Sequence, residues 1–311
     1  MLCLLFSGCK SFGIDVPYDV NTNISAYKCE TRNSSRVLDS FAQNICVADE
    51  DVNTSACDLS LATSGCLFDR STGETIYAKQ ANMRLHPASL TKVMTAYVAL
   101  KYGKLDDILT ASSNVQIKES GAQLCGFKEG DKATLEQVLN ALLVYSGNDA
   151  GVMIAEYVSG SEEAFTKLMN EEAHKLGATN TFFENSHGLT SDNHLTTAYD
   201  LYLIFNEALK YDKFREIIGN RNFQSSFSTA DGGTKKMDYE STNRYITGKV
   251  NTPSNTTVIG GKTGTTKAAG SCLILYSRSK TSGDDYISVV LDSESADSLY
   301  ENMSSLISLE N

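Results

Sequence analysis

Three short runs in the chain bring nucleophile, base and cation together in order: Ser89-Leu90-Thr91-Lys92, Ser146-Gly147-Asn148 and Lys262-Thr263-Gly264. A serine and a lysine three positions apart share one face of a helix, so the amine can sit beside the hydroxyl. At a first helical turn, free backbone N–H groups can also stabilise an oxyanion formed at that serine. Lys92 lies beside an apolar stretch with no acid nearby in sequence. That setting depresses an amine's pKa and would let Lys92 act as base for Ser89. Lys262 and Thr263 offer a cation and a hydroxyl to a carboxylate, and Gly264 leaves a strand edge open to a substrate backbone. Ser146 would relay a proton to a leaving amine, and the Asn148 amide would grip a substrate carbonyl. The chemistry implied is acyl transfer through a serine ester.

Taken singly these motifs are weak. S-x-x-K recurs at Ser7–Lys10 and Ser25–Lys28, and S-x-N recurs at 112–114, 191–193 and 241–243, whereas K-T-G occurs once. What sets the three apart is their order, with gaps of 57 and 116 residues between the lead residues, and the structural boundary at which each falls. Rival motifs fail. A P-loop ending at Gly261-Lys262-Thr263 would need glycine at 256, which is Thr256. His86, His174, His187 and His194 could serve a hydroxyl triad, but no G-x-S-x-G elbow accompanies them. No H-E-x-x-H, C-x-x-C or carboxylate cluster asks for a metal, and no cofactor is expected.

The elements that must position these residues can be read from periodicity. Cys66-Leu67-Phe68 and Thr75-Ile76-Tyr77 flank Arg70-Ser71-Thr72-Gly73 as a β-hairpin. A helix through Val93, Met94, Ala96, Val98, Ala99 and Leu100 is apolar nearly all round, which predicts burial. Thr134 with Gln137 forms a capping box ahead of Leu135, Val138, Leu139, Leu142 and Leu143 at helical spacing. Further helices run through Phe165, Leu168 and Met169 up to Gly177, and through Leu201, Ile204, Phe205 and Ala208, with Gly219 ending the next segment. Strands return at Val258–Gly261, Cys272–Tyr276 and Ile287–Leu291, before a last helix with Leu299, Met303, Leu306 and Ile307 on one face. Strands at both ends with helices between predict an α+β fold whose antiparallel sheet the two ends complete together.

The composition fits a globular protein of 311 residues with formal charge −11. That acidity argues against nucleic acid as partner. The excess is local: residues 10–60 carry −4, residues 281–311 carry −7, and residues 61–280 balance. Residues 10–60, rich in Ser, Asn, Asp and Thr, read as a polar tether before a single domain over 61–311. Met1–Phe6 is apolar and leads through Ser7-Gly8 to Cys9, so residues 1–9 read as a lipoprotein-type signal with Cys9 lipidated, as another export signal, or as a buried N-terminus. Disulfides among Cys29, Cys46 and Cys57 are open in an exported chain, while Cys66 and Cys272 read as small buried residues of strands.

From about Gly65 to Leu309 the chain resembles the serine D-alanyl-D-alanine carboxypeptidases, the low-molecular-mass penicillin-binding proteins. The resemblance rests on Pro87-Ala88-Ser89-Leu90-Thr91-Lys92, Ser146-Gly147-Asn148-Asp149-Ala150, Asn185-Ser186-His187-Gly188-Leu189 and Thr197-Ala198-Tyr199-Asp200, besides the K-T-G run. It implies a five-stranded sheet with flanking terminal helices and a large all-helical insertion. It implies Ser89 as acylated nucleophile, Lys92 as base, Ser146 as second serine, Asn148, Lys262, Thr263, Gly264 and Thr265 as substrate contacts, and the N–H groups of Ser89 and Thr265 as oxyanion hole. The implied partners are a peptidoglycan stem peptide ending in D-Ala-D-Ala and β-lactams as acylating inhibitors. The implied place is outside the cytoplasmic membrane of a bacterium, at its outer face or in the wall, with a lipid anchor if Cys9 is modified. Two features depart from the family. No basic residue follows Lys280, where members often carry an arginine for the terminal carboxylate, and the β-rich domain that many relatives append after the last helix is not seen in this sequence. Alternatives are a class A β-lactamase, given Ser191-Asp192-Asn193 and the E-x-x-L-N run Glu136–Asn140, a DD-transpeptidase, or a non-catalytic wall-binding relative. In class A enzymes the glutamate follows S-D-N, whereas here it precedes it.

Overall fold

A computed structural model describes residues 45–310. Strands β1 (Ala62–Asp69), β2 (Glu74–Lys79), β7 (Thr256–Thr266), β8 (Gly270–Ser279) and β9 (Asp285–Ser293) form one antiparallel sheet in the order β2-β1-β9-β8-β7. The expected hairpin is β1–β2, and the pairing of β1 with β9 joins the two ends of the domain. Alternation sorts the side chains. Leu67, Leu273, Leu275 and Val290 pack on one face with Leu299, Met303, Leu306 and Ile307 of the terminal helix α8 (Ala296–Ile307). Cys66, Phe68, Ile274, Ile287 and Val289 fill the other face. With both faces covered, the strands read as near-continuous apolar runs.

The second face is roofed by helices. The main ones are α1 (Thr91–Tyr102), α2 (Leu135–Leu143), α3 (Asn148–Ser159), α4 (Glu162–Lys175), α5 (Ala198–Ala208) and α6 (Asp212–Ile218), with a short α7 (Arg244–Thr247) nearer β7. Helix α1 is buried from Thr91 to Ala99, as its all-round apolarity predicts. Both halves of the Thr134–Gln137 capping box form at α2, and Gly177 ends the α4 segment with φ +85°.

The structure corrects the expectation in two places. The insertion is not all helical, because a second sheet, β3 (Ile108–Thr110), β4 (Lys132–Thr134), β5 (Asn222–Ser228) and β6 (Thr234–Glu240), runs through it. The β5–β6 ribbon exposes most of its residues and buries chiefly Phe227, Met237 and Tyr239, so it lacks the apolar alternation that announces a strand. Second, the end of the presumed tether is packed. Cys46, Ala48 and Leu59 are buried, Cys46 N–H donates to Tyr202 Oη (2.9 Å), and Val52 bridges Ala78. Polar spacing hid these few anchors. Cys46 and Cys57 are free thiols, as are Cys66, Cys125 and Cys272, while Cys29 and Cys9 lie outside the described residues. Among those residues no helix is long and apolar enough to cross a membrane.

Candidate active site

Ser89 sits in a one-turn 3-10 helix, Ala88–Leu90, that feeds directly into α1. Ala88 takes the left-handed region, φ +46°, which an L-residue occupies only when its surroundings impose it. One turn later Lys92 is fully buried, its Nζ 2.8 Å from Ser89 Oγ, 2.7 Å from Asn148 Oδ1 and 2.5 Å from the His187 carbonyl. Burial, and then the charge of Lys262, push its pKa well below the usual lysine value. A neutral amine has two N–H bonds and one lone pair. The Asn148 and His187 oxygens can only accept, so they take the two hydrogens, and the lone pair is left facing the Ser89 hydroxyl.

Ser146 follows α2 and also takes the left-handed region, φ +71°. Its Oγ accepts from Lys262 Nζ at 2.9 Å, which also donates to Thr263 O at 2.8 Å. Lys262 is buried on β7, and burial lowers its pKa to about 7. Gly147 is required by space, since a β-carbon there would fall 2.2 Å from Cys125 Sγ. Behind this turn the buried Asp149 carboxylate accepts from the N–H groups of Cys125, Gly126, Phe127 and Ala150, which fixes the motif to the loop beside it.

Gly264 has a different reason from the one its sequence suggested. A β-carbon on it would lie 2.9 Å from Ser89 N, 3.0 Å from Pro87 O and 3.1 Å from Ala88 Cβ. The glycine lets β7 close on the nucleophile turn itself, rather than only clearing space for a substrate.

Ser89, Ser146, Asn148, Thr263, Gly264 and Thr265 line one cleft of about 320 Å³, with Lys92 and Lys262 buried behind its wall. A larger groove beside α4, about 870 Å³, contains none of them. Sequence reasoning missed Gln123, Thr242 and Arg244, and the α8 residues Leu299 and Tyr300, on the same walls. Thr242 and Thr263 hydroxyls share a hydrogen bond of 2.5 Å. Arg244 lies with its guanidinium 5.2 Å from the Tyr300 ring centre and 2.6 Å from Asp297 Oδ1. The signal was present at Ser241-Thr242-Asn243, a run that looks like a decoy beside Ser146-Gly147-Asn148. The candidates of the β-lactamase alternative are engaged elsewhere. Glu136 pairs with Lys213 at 2.8 Å, and Ser191 and Asn193 both bond Glu184.

The sheet, its helical roof and the cleft at the edge of β7 define the fold class of the penicillin-binding proteins. The crystal structure of the Streptomyces K15 DD-transpeptidase superposes with a TM-score of 0.73 at 27% identity, covering 80% of this chain and 96% of that one. An evolved penicillin-binding protein homologue from Mycobacterium tuberculosis shares the fold with a TM-score of 0.71 at 24% identity, over 84% of this chain and 95% of that one. Residues 51–295 match the family model described as D-alanyl-D-alanine carboxypeptidase, and the chain belongs to that family. It is 37% identical over 219 residues to D-alanyl-D-alanine carboxypeptidase DacF of Bacillus subtilis, covering 68% of this chain and 53% of the relative. With DacC of Escherichia coli it is 35% identical over 263 residues, covering 81% and 60%. The chain thus spans little more than half the length of these relatives.

Proposed function

We propose that the protein is a serine-type D-alanyl-D-alanine carboxypeptidase that trims peptidoglycan stem peptides and is acylated by β-lactams. The observation that carries this reading is the placement of buried Lys92, whose amine touches Ser89 Oγ and spends its remaining contacts on two acceptors. Neutral Lys92 takes the Ser89 proton as Oγ attacks the carbonyl of the penultimate D-alanine. The oxyanion forms against the backbone N–H groups of Ser89 and Thr265, brought together by the close approach at Gly264. The proton taken by Lys92 is relayed through the Ser146 hydroxyl, which is bonded to Lys262, to the departing D-alanine amine, so Ser146 ends as a hydroxyl and Lys92 as a neutral amine. Water then cleaves the ester by the reverse path.

Asn148 orients Lys92 as well as the peptide. Thr263 and Thr265 on the cleft wall hold the terminal carboxylate with the buried Lys262 charge behind them, and Arg244 supplies the cation that is missing after Lys280. Glu136 is tied to Lys213 and no carboxylate is among the described residues that line the cleft, so no glutamate is placed to activate water against a penicilloyl ester, and the adduct should persist. Transpeptidation uses the same acyl-enzyme with an amine in place of water, and the likeness to the Streptomyces K15 DD-transpeptidase favours it as second reading. Such a substrate places the protein outside the cytoplasmic membrane.

Release of D-alanine from a peptide ending in D-Ala-D-Ala, measured with wild type and Ser89→Ala, tests the proposal. Wild-type release that vanishes in the variant supports it. Release that survives removes Ser89 from its role, and labelling by penicillin without release favours transpeptidation.

A further inference from the structure

We propose that His194 and Thr91 form a positioning chain that pins the Ala88 carbonyl and so holds the strained turn presenting Ser89. The inference rests on Ser89 being the nucleophile. Glu184 N–H donates to His194 Nδ1 at 3.0 Å, which fixes Nδ1 as the acceptor and leaves the hydrogen on Nε2. His194 Nε2 lies 2.7 Å from Thr91 Oγ1, so Nε2–H donates to that hydroxyl, and the hydroxyl in turn donates to Ala88 O at 2.9 Å. The side-chain bonds all run in one direction, and Ala88 O accepts from the Thr91 backbone N–H as well as from its hydroxyl. His194 and Thr91 are buried, with exposures of 1% and 0%, and the imidazole stands edge-on to Phe183 with ring centres 5.6 Å apart. Burial pushes the imidazole pKa down to about 4, so the same tautomer persists through the neutral range.

The chain ends on the residue that most needs holding. Ala88 has φ +46° and directly precedes Ser89, whose N–H is one of the two assigned to the oxyanion. Rotation of the Ala88–Ser89 peptide would move that N–H and the Ala88 carbonyl together, because they belong to one planar unit. Thr91 therefore fixes an oxyanion donor by gripping the opposite end of its own peptide. Gly188 closes the other side, since a β-carbon on it would fall 1.9 Å from Ala88 O. Neither His194 nor Thr91 lines the cleft, so the chain acts on Ser89 and not on substrate.

The test is the rate of acylation of the full chain by a fluorescent penicillin over a concentration series, which separates noncovalent affinity from the acylation step. The labelled amplitude counts folded protein, so the rate is read independently of stability. Thr91→Val keeps shape and deletes the hydroxyl, and His194→Phe keeps a ring and deletes the donor. Each is expected to slow acylation by roughly 10- to 100-fold with noncovalent affinity unchanged. Thr91→Ser and His194→Gln, which restore a hydroxyl and an Nε–H, should recover most of the rate, and the double deletion should be no slower than the worse single one. Wild-type rates in both deletions, equal losses in Thr91→Ser and Thr91→Val, or fully additive losses would overturn the proposal. So would failure of both deletions to fold, which would assign the pair to the core alone. Labelling that persists in Ser89→Ala would instead remove the nucleophile assignment on which the inference stands.

Discussion

Gly264→Ala adds one carbon where the structure has no room for it. The new β-carbon would sit 2.9 Å from Ser89 N, 3.0 Å from Pro87 O and 3.1 Å from Ala88 Cβ. Ordinary carbon contacts lie near 3.5–4.0 Å, so β7 and the Ser89 turn must separate by about 0.5–1 Å. All three obstacles belong to the rigid turn rather than to the tip of a flexible side chain, so the strand has to give. Overpacking of this kind costs about 1–3 kcal/mol of stability. The larger effect should be kinetic, because the same gap parts the Ser89 and Thr265 N–H groups. A displacement near 1 Å at a reacting centre costs roughly 100-fold in rate, and loss of one oxyanion donor costs about as much. The assay is stopped-flow acylation by fluorescent penicillin beside a thermal melt. Gly283→Ala is the control: its φ of +85° strains any side chain, but the added carbon meets nothing within 4 Å, whereas Gly264 lies outside the left-handed region and meets only the crowding. It should lose stability and acylate normally. Gly264→Ala protein that melts like wild type and acylates at the wild-type rate would refute the close-approach reasoning.

Other outcomes follow from the same geometry. Arg244→Ala should raise KM for a D-Ala-D-Ala peptide by roughly 10- to 100-fold, as expected for a lost charge-assisted contact, and change little for a substrate whose C-terminus is amidated. Asp149→Ala leaves four backbone N–H groups without their acceptor and should lower stability by about 3 kcal/mol or more, seen as a shifted melt. Acylation should rise with pH as Lys92 loses its proton, because only the neutral amine is a base, and fall above about pH 7 as Lys262 loses the charge that serves Ser146. Stability should move the other way. Lys262 has a lowered folded pKa, so the unfolded chain binds more protons between about 7 and its ordinary 10.5, and its contribution to stability rises with pH across that window. Melts and acylation rates over pH 6–10 check both signs.

What the sequence revealed was local. Ser89 and Lys92 lie one turn apart, so their contact follows from helix geometry, and the Thr134–Gln137 box is a four-residue pattern. The sheet faces were legible because burial on both sides makes apolar runs. Features set by distant partners were not. Arg244 of α7 is held at the cleft by Asp297 and Tyr300 of α8, more than fifty residues away, and the adjoining Ser241-Thr242-Asn243 run gives no sign of that meeting. The left-handed turns at Ala88 and Ser146 occur at residues that rarely adopt them, so composition gives no sign of strain imposed from outside. Lys262-Thr263-Gly264 marks the glycine as special, but its neighbour Ser89 lies far off in sequence and meets it only in the fold. The β5–β6 ribbon escaped because its solvated faces need no apolar period.

The central claim is that Ser89 is the acylated nucleophile, served by a neutral Lys92. Peptide mapping by mass spectrometry after exposure to benzylpenicillin tests it most directly. One penicilloyl group should appear on the peptide containing Ser89, persist through buffer exchange, and be absent in Ser89→Ala and in Lys92→Met. An adduct on another residue, or an undiminished adduct in either variant, would contradict it.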